Sequence, residues 1–102
     1  MITTHVLDTA KGKPAAGIAI ELEHEGTLIG SGVTDADGRL RTLTPQGPVT
    51  PGTYRIRFQT GAYDPAGFFP VVEIFFKVVD GAQHYHVPLL YSPYGFSTYR
   101  GS

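Results

Sequence analysis

Apolar and polar residues alternate with a period of two along much of this chain, and no stretch of helical length keeps an apolar period of 3.6. Gly17 to His24 is the cleanest case, with Ile18, Ile20 and Leu22 on one face and Ala19, Glu21 and Glu23 on the other. Thr53 to Gln59 repeats the pattern, Tyr54, Ile56 and Phe58 against Arg55, Arg57 and Gln59. Further strands are expected at Ile2 to Leu7, Leu28 to Thr34, Arg39 to Leu43, His84 to Tyr91 and Phe96 to Arg100. Val71 to Val79 is nearly continuously apolar, which predicts a central strand with both faces covered.

Turn chemistry separates these runs. Asp35-Ala36-Asp37-Gly38 reads as a hairpin turn, with Gly38 able to supply a positive φ. Residues 44–52 contain three prolines and cannot lie in a central ladder. Residues 61–70 are irregular, yet Tyr63, Phe68 and Phe69 make them apolar enough to pack. The sum is an antiparallel β-sandwich of seven or eight strands in one domain spanning residues 1–102, with no internal repeat or linker.

Composition narrows the function. Charged residues are 17% of the chain and the formal net charge is -1, so nothing provides the basic footprint that nucleic acid or an anionic membrane requires. With no cysteine, disulfides, thiolate nucleophiles and zinc ribbons are excluded together. The first residues have neither a basic start nor a long apolar run, which predicts no signal peptide or membrane anchor.

The candidate chemistry gathers in His84-Tyr85-His86-Val87-Pro88-Leu89-Leu90-Tyr91. Period two puts Tyr85, Val87, Leu89 and Tyr91 on the inner face and His84, His86, Pro88 and Leu90 on the outer. Plain solvent exposure is the simplest account of two outward histidines. Against it, Pro88 and Leu90 make the same face apolar, His5 on the first strand is available to join it, and the chain closes with a polar tetrapeptide. A His-x-His pair spaces its rings by roughly 6.6 Å along a strand, which suits zinc, and His5 would be the third ligand. No carboxylate is placed to orient such ligands, which weighs against a resident metal. Asp35-x-Asp37-Gly38 lacks the remaining ligands of a calcium loop. Ser92, Ser97 and Ser102 lack the strand-to-helix elbow of a nucleophilic serine. A non-covalent hydrolysis remains, in which a neutral imidazole takes a proton from water and a guanidinium stabilises the oxyanion.

Thr4-His5-Val6-Leu7-Asp8-Thr9, Asp35-Ala36-Asp37-Gly38-Arg39, His84-Tyr85-His86-Val87-Pro88-Leu89-Leu90 and Tyr99-Arg100-Gly101-Ser102 together resemble the transthyretin-related proteins, specifically the 5-hydroxyisourate hydrolases. The resemblance runs from residue 3 to residue 102. It implies an all-β, transthyretin-like sandwich with at most one short helix. The implied activity opens the ring of 5-hydroxyisourate in urate degradation, giving 2-oxo-4-hydroxy-4-carboxy-5-ureidoimidazoline.

The resemblance further implies His5, Arg39 and His86 as catalytic residues, and Tyr99, Arg100, Gly101 and Ser102 as substrate-binding residues. It implies a homotetramer with its sites in a channel between dimers. No cofactor and no metal are expected, and the lack of a signal peptide or membrane segment predicts a cytoplasmic location. His84 has the right parity but is a rim or supporting residue. Asp64-Pro65-Ala66-Gly67 is shorter than in such relatives, so their short helix is expected to be reduced, and the hairpin at Gly26-Thr27 is compact. A carrier on the same sandwich and an adhesive module are the alternatives; neither has a use for Arg39, two channel histidines and the terminal tetrapeptide.

Overall fold

In the computed structural model, which describes residues 1–102, the alternating runs form two facing sheets. In chain order the elements are β1 (Ile2–Asp8), β2 (Lys13–Pro14), β3 (Ala19–His24), β4 (Thr27–Val33), β5 (Arg39–Leu40), β6 (Gly52–Phe58), α1 (Thr60–Tyr63), β7 (Val72–Val78), β8 (Tyr85–Ser92) and β9 (Gly95–Thr98). One sheet has the order β2-β1-β8-β9, with β5 also paired to β1, and the other has the order β4-β3-β6-β7. The inward set of each strand makes the core: Ile2 and Val6, Ile20 and Leu22, Tyr54, Ile56 and Phe58, and Tyr85, Val87, Leu89 and Tyr91 are all buried. Burial of these apolar side chains is the main favourable term of the fold. No helix is long and apolar enough to cross a membrane.

Several expectations change. The sandwich is not wholly antiparallel, because β1 runs parallel to β8, with Thr3 opposite His86 and His5 opposite Pro88. The other β8 partner, β9, is antiparallel. And β7 is an edge strand rather than a central one. Its Val72 and Val78 face the core, while Glu73, Phe75 and Lys77 are exposed, Phe75 by 67%. A nearly continuous apolar run therefore conceals an ordinary alternation here, in which the outward positions happen to include a phenylalanine.

The turn at 35–38 is also redeployed. Gly38 takes a φ of 73° and the Asp35 carboxylate accepts the backbone N–H groups of Asp37 and Arg39, both at 2.9 Å. Instead of closing a hairpin with β4, the turn carries the chain into the other sheet, where β5 pairs with β1 at Thr4↔Leu40 and His5↔Arg39. The expected strand from Arg39 to Leu43 is thereby cut to two residues. The β3–β4 hairpin is compact as expected: Glu25 and Gly26 both have positive φ, 49° and 84°, the conformation that suits two-residue hairpin loops.

The segment 61–70 keeps a single helical turn, α1. Thr60 Oγ1 donates to the Phe69 carbonyl at 2.7 Å and Gly61 N–H donates to the Pro70 carbonyl at 2.7 Å. Tyr63 and Tyr91 donate their hydroxyls to Asp8 Oδ2 at 2.7 Å and Asp64 Oδ2 at 2.6 Å. These bonds tie the shortened loop to β1 and β8, and burial with the nearby carboxylates pushes the Tyr63 hydroxyl up to about 12.

Candidate active site

The parallel register of β1 on β8 and the β1–β5 pairing put three outward-facing segments side by side. On this face a cleft of about 330 Å³ is lined by Thr3, Arg39, Arg41, His84, His86 and Ser102, together with Met1 and Thr4. The Arg39 backbone is fixed by Asp35, and its Cα is paired with that of His5. His86 belongs to β8, whose inward residues anchor it in the core.

The end of the chain closes over the same strand. Beyond β9 it returns alongside β8, where Gly101 N–H donates to the His86 carbonyl at 2.7 Å in an isolated antiparallel bridge. Gly101 lies so close to the imidazole that a Cβ there would sit 2.6 Å from His86 Cδ2. Only a residue without a side chain fits without moving the ring.

The expected site residues are not all in one place. Arg39, His86 and Ser102 line the cleft and Gly101 packs on His86. His5 stands beside it: its Nε2 is 2.9 Å from the Asp37 carbonyl, an acceptor only, so Nε2 carries a proton and donates it there. Tyr99 and Arg100 lie elsewhere, in an apolar cleft of about 290 Å³ that β7, β8 and residues 98–100 line. Arg100 stacks its guanidinium 4.4 Å from the Tyr85 ring centroid and donates to Gln83 Oε1 at 2.7 Å.

Four cleft residues were not singled out as site residues in the sequence: Met1, Thr3, Thr4 and Arg41. Thr3 has the parity of His5 on β1, but nothing local in the chain pairs it with His84 and His86. Its Oγ1 is 2.7 Å from His84 Nε2 and 2.8 Å from His86 Nδ1. The two imidazoles are 6.4 Å apart between centroids. No group of three or more histidines or carboxylates is arranged to hold a metal ion.

Electrostatics set the resting state of His86. Burial, then the Arg39 guanidinium, then His84 and His5, hold its imidazole below the ordinary 6.5. The cleft therefore pairs a neutral imidazole with a permanent cation, a proton acceptor next to a stabiliser of negative charge.

Residues 2–101 match the model of the HIUase/transthyretin family. The chain belongs to that family. It is similar to the 5-hydroxyisourate hydrolase of Salmonella typhimurium, 43% identical over 110 residues that cover 100% of this chain and 81% of that protein. It is also 45% identical over 119 residues to the "uric acid degradation bifunctional protein TTL" of Arabidopsis thaliana, covering 99% of this chain but 37% of that longer protein. Among solved structures, Klebsiella pneumoniae 5-hydroxyisourate hydrolase superposes with a TM-score of 0.89 at 36% identity, covering 99% of this chain and 98% of that one. Sea bream transthyretin in complex with thyroxine superposes equally well, with a TM-score of 0.90 at 32% identity over 98% and 93% of the two chains. The backbone of this family thus does not separate hydrolase from hormone binder. Side chains in the cleft must do so.

Proposed function

We infer that this protein is a 5-hydroxyisourate hydrolase of urate degradation. The observation that carries the reading is the convergence of His86, Arg39 and Ser102, from three separate sequence motifs, on one polar cleft. A site for an apolar hormone has no use for that set.

In the reaction His86 accepts a proton from water through Nε2, the hydroxide adds to the ring carbonyl, and Arg39 stabilises the oxyanion. As the ring C–N bond breaks, His86 Nε2–H gives its proton to the leaving nitrogen and the base is restored. His86 is assigned as the base because it lines the cleft and is held neutral, whereas His5 stands beside the cleft. His5 helps to position the water, and Gly101 and Ser102 shape the pocket wall. A homotetramer completes the proposal, with sites between dimers and Tyr99 and Arg100 serving the pocket through assembly. The exposed Phe75, Val79 and Phe68 are consistent with assembled edges. A cytoplasmic location belongs to the same proposal.

The direct test generates 5-hydroxyisourate with urate oxidase and follows its ultraviolet decay. Decay is expected to accelerate in proportion to added protein. A first-order rate unchanged by the protein, together with saturable binding, would favour the carrier instead.

A pH dependence follows from His86. The base works only unprotonated, and its proton affinity is depressed, so activity holds as pH falls through 6.5 and is lost at lower pH. Arg39→Gln removes one of the two leading causes and is expected to move the His86 midpoint upward, although burial keeps it below 6.5. Titration of the His86 ring proton by NMR in both proteins measures this; an unmoved midpoint would dissociate Arg39 from His86.

A further inference from the structure

Thr3 projects from the outer face of β1, yet only 4% of it is exposed. Its hydroxyl sits between two imidazole nitrogens, His84 Nε2 at 2.7 Å and His86 Nδ1 at 2.8 Å. A hydroxyl has one proton to donate, so the two facing nitrogens cannot both be unprotonated acceptors. At least one of them carries hydrogen. Thr3 therefore couples the tautomers of the two histidines, which β8 by itself leaves independent.

We propose that Thr3 is a positioning residue that joins His86 to His84 in a proton relay for the hydrolase reaction. In the resting arrangement His86 Nδ1–H donates to Thr3 Oγ1, and the Thr3 hydroxyl donates to His84 Nε2. This rests on His86 acting as the base, because only that direction leaves His86 Nε2 bare toward the cleft. When Nε2 takes the proton of the attacking water, the Nδ1 proton passes to Thr3 Oγ1 and the Thr3 hydroxyl proton passes to His84 Nε2. One N–H and one O–H bond break, one O–H and one N–H bond form, and no heavy atom has to travel. His86 ends neutral with its proton on Nε2, and the positive charge resides on His84.

The direction of charge movement has a physical reason. A cation on His86 would be half-buried and beside the Arg39 guanidinium, with His5 also facing it. His84 is exposed, so water solvates the charge there. The relay accounts for a second histidine at this position without giving it contact with the reacting atoms.

Thr3→Val removes the hydroxyl with little change of shape, and Thr3→Ser retains it. Thr3→Val is expected to lower kcat by about tenfold or more with KM nearly unchanged, a part of what a positioned base contributes. Thr3→Ser should restore most of the rate. Long-range ¹H–¹⁵N correlation spectra of the wild-type protein supply a readout that depends on neither turnover nor a variant. They should show His86 protonated at Nδ1 and His84 accepting at Nε2, with the His86 tautomer becoming mixed in Thr3→Val.

Wild-type His86 carrying its proton on Nε2 at rest would overturn the relay, as would a Thr3→Val protein with lowered kcat and an unaltered tautomer. Should the protein lack hydrolase activity while the spectra show the expected tautomers, the proposed function fails and the Thr3 coupling stands.

Discussion

His86→Ala is expected to leave a folded protein in which 5-hydroxyisourate decays at close to its spontaneous rate. The substitution is on the outer face of β8, and the inward residues Tyr85, Val87 and Leu89 that hold the strand are untouched. The ring's one hydrogen-bond partner within the chain is Thr3. Stability is therefore expected to change little, while the loss of a positioned base costs roughly 10²- to 10⁴-fold in rate. Arg39→Ala is the companion variant. The Asp35 carboxylate still receives the backbone N–H of residue 39, so the turn survives and only the guanidinium is lost. Removing an oxyanion stabiliser typically costs about 10²- to 10³-fold. Circular dichroism and thermal melts establish folding, and the ultraviolet assay reads the rate. Wild-type turnover in either variant would remove that residue from the mechanism.

The second large effect is expected from one added methyl group. Gly101→Ala keeps the backbone N–H that bonds the His86 carbonyl, but its Cβ would lie 2.6 Å from Cδ2 and 3.2 Å from both Cβ and Cγ of His86. Either the tail lifts or the imidazole turns. Both displace the base from its place beside Arg39 and Thr3, and a shift of about 1 Å in a catalytic group can cost on the order of 10²-fold. The melting temperature should be nearly unchanged, because the contact is on the outer face and away from the core. A kcat equal to wild type would mean that the terminal segment is not seated on His86 during turnover.

Most of the secondary structure was legible along the chain, because alternation with period two is a local property. Ile20 and Leu22, Tyr54, Ile56 and Phe58, and Tyr85, Val87, Leu89 and Tyr91 face the core as their parity requires. The apolar run Val71 to Val79 misled because an edge strand with Phe75 outward has nearly the composition of a central one. The family's terminal motif grouped Tyr99 and Arg100 with Gly101 and Ser102. In the structure Tyr99 and Arg100 line a different cleft from the one that Ser102 lines, because Arg100 stacks on Tyr85, a contact between strands that the motif does not record. The family motifs named Arg39 and His86 as residue types in order, without the distances between them.

By itself, then, the sequence determined which residues face inward, where the chain turns, and that His84 and His86 share an outer face, since each depends on side chains a few positions apart. Only the tertiary structure decided that β1 lies parallel to β8 and that β5 leaves β4 for β1. Strand partners and register depend on contacts across as many as 83 positions, as between Thr3 and His86, and the local pattern carries no record of them. That register brings Arg39, His86 and Thr3 into one cleft and makes a threonine with no catalytic signature the link between two histidines.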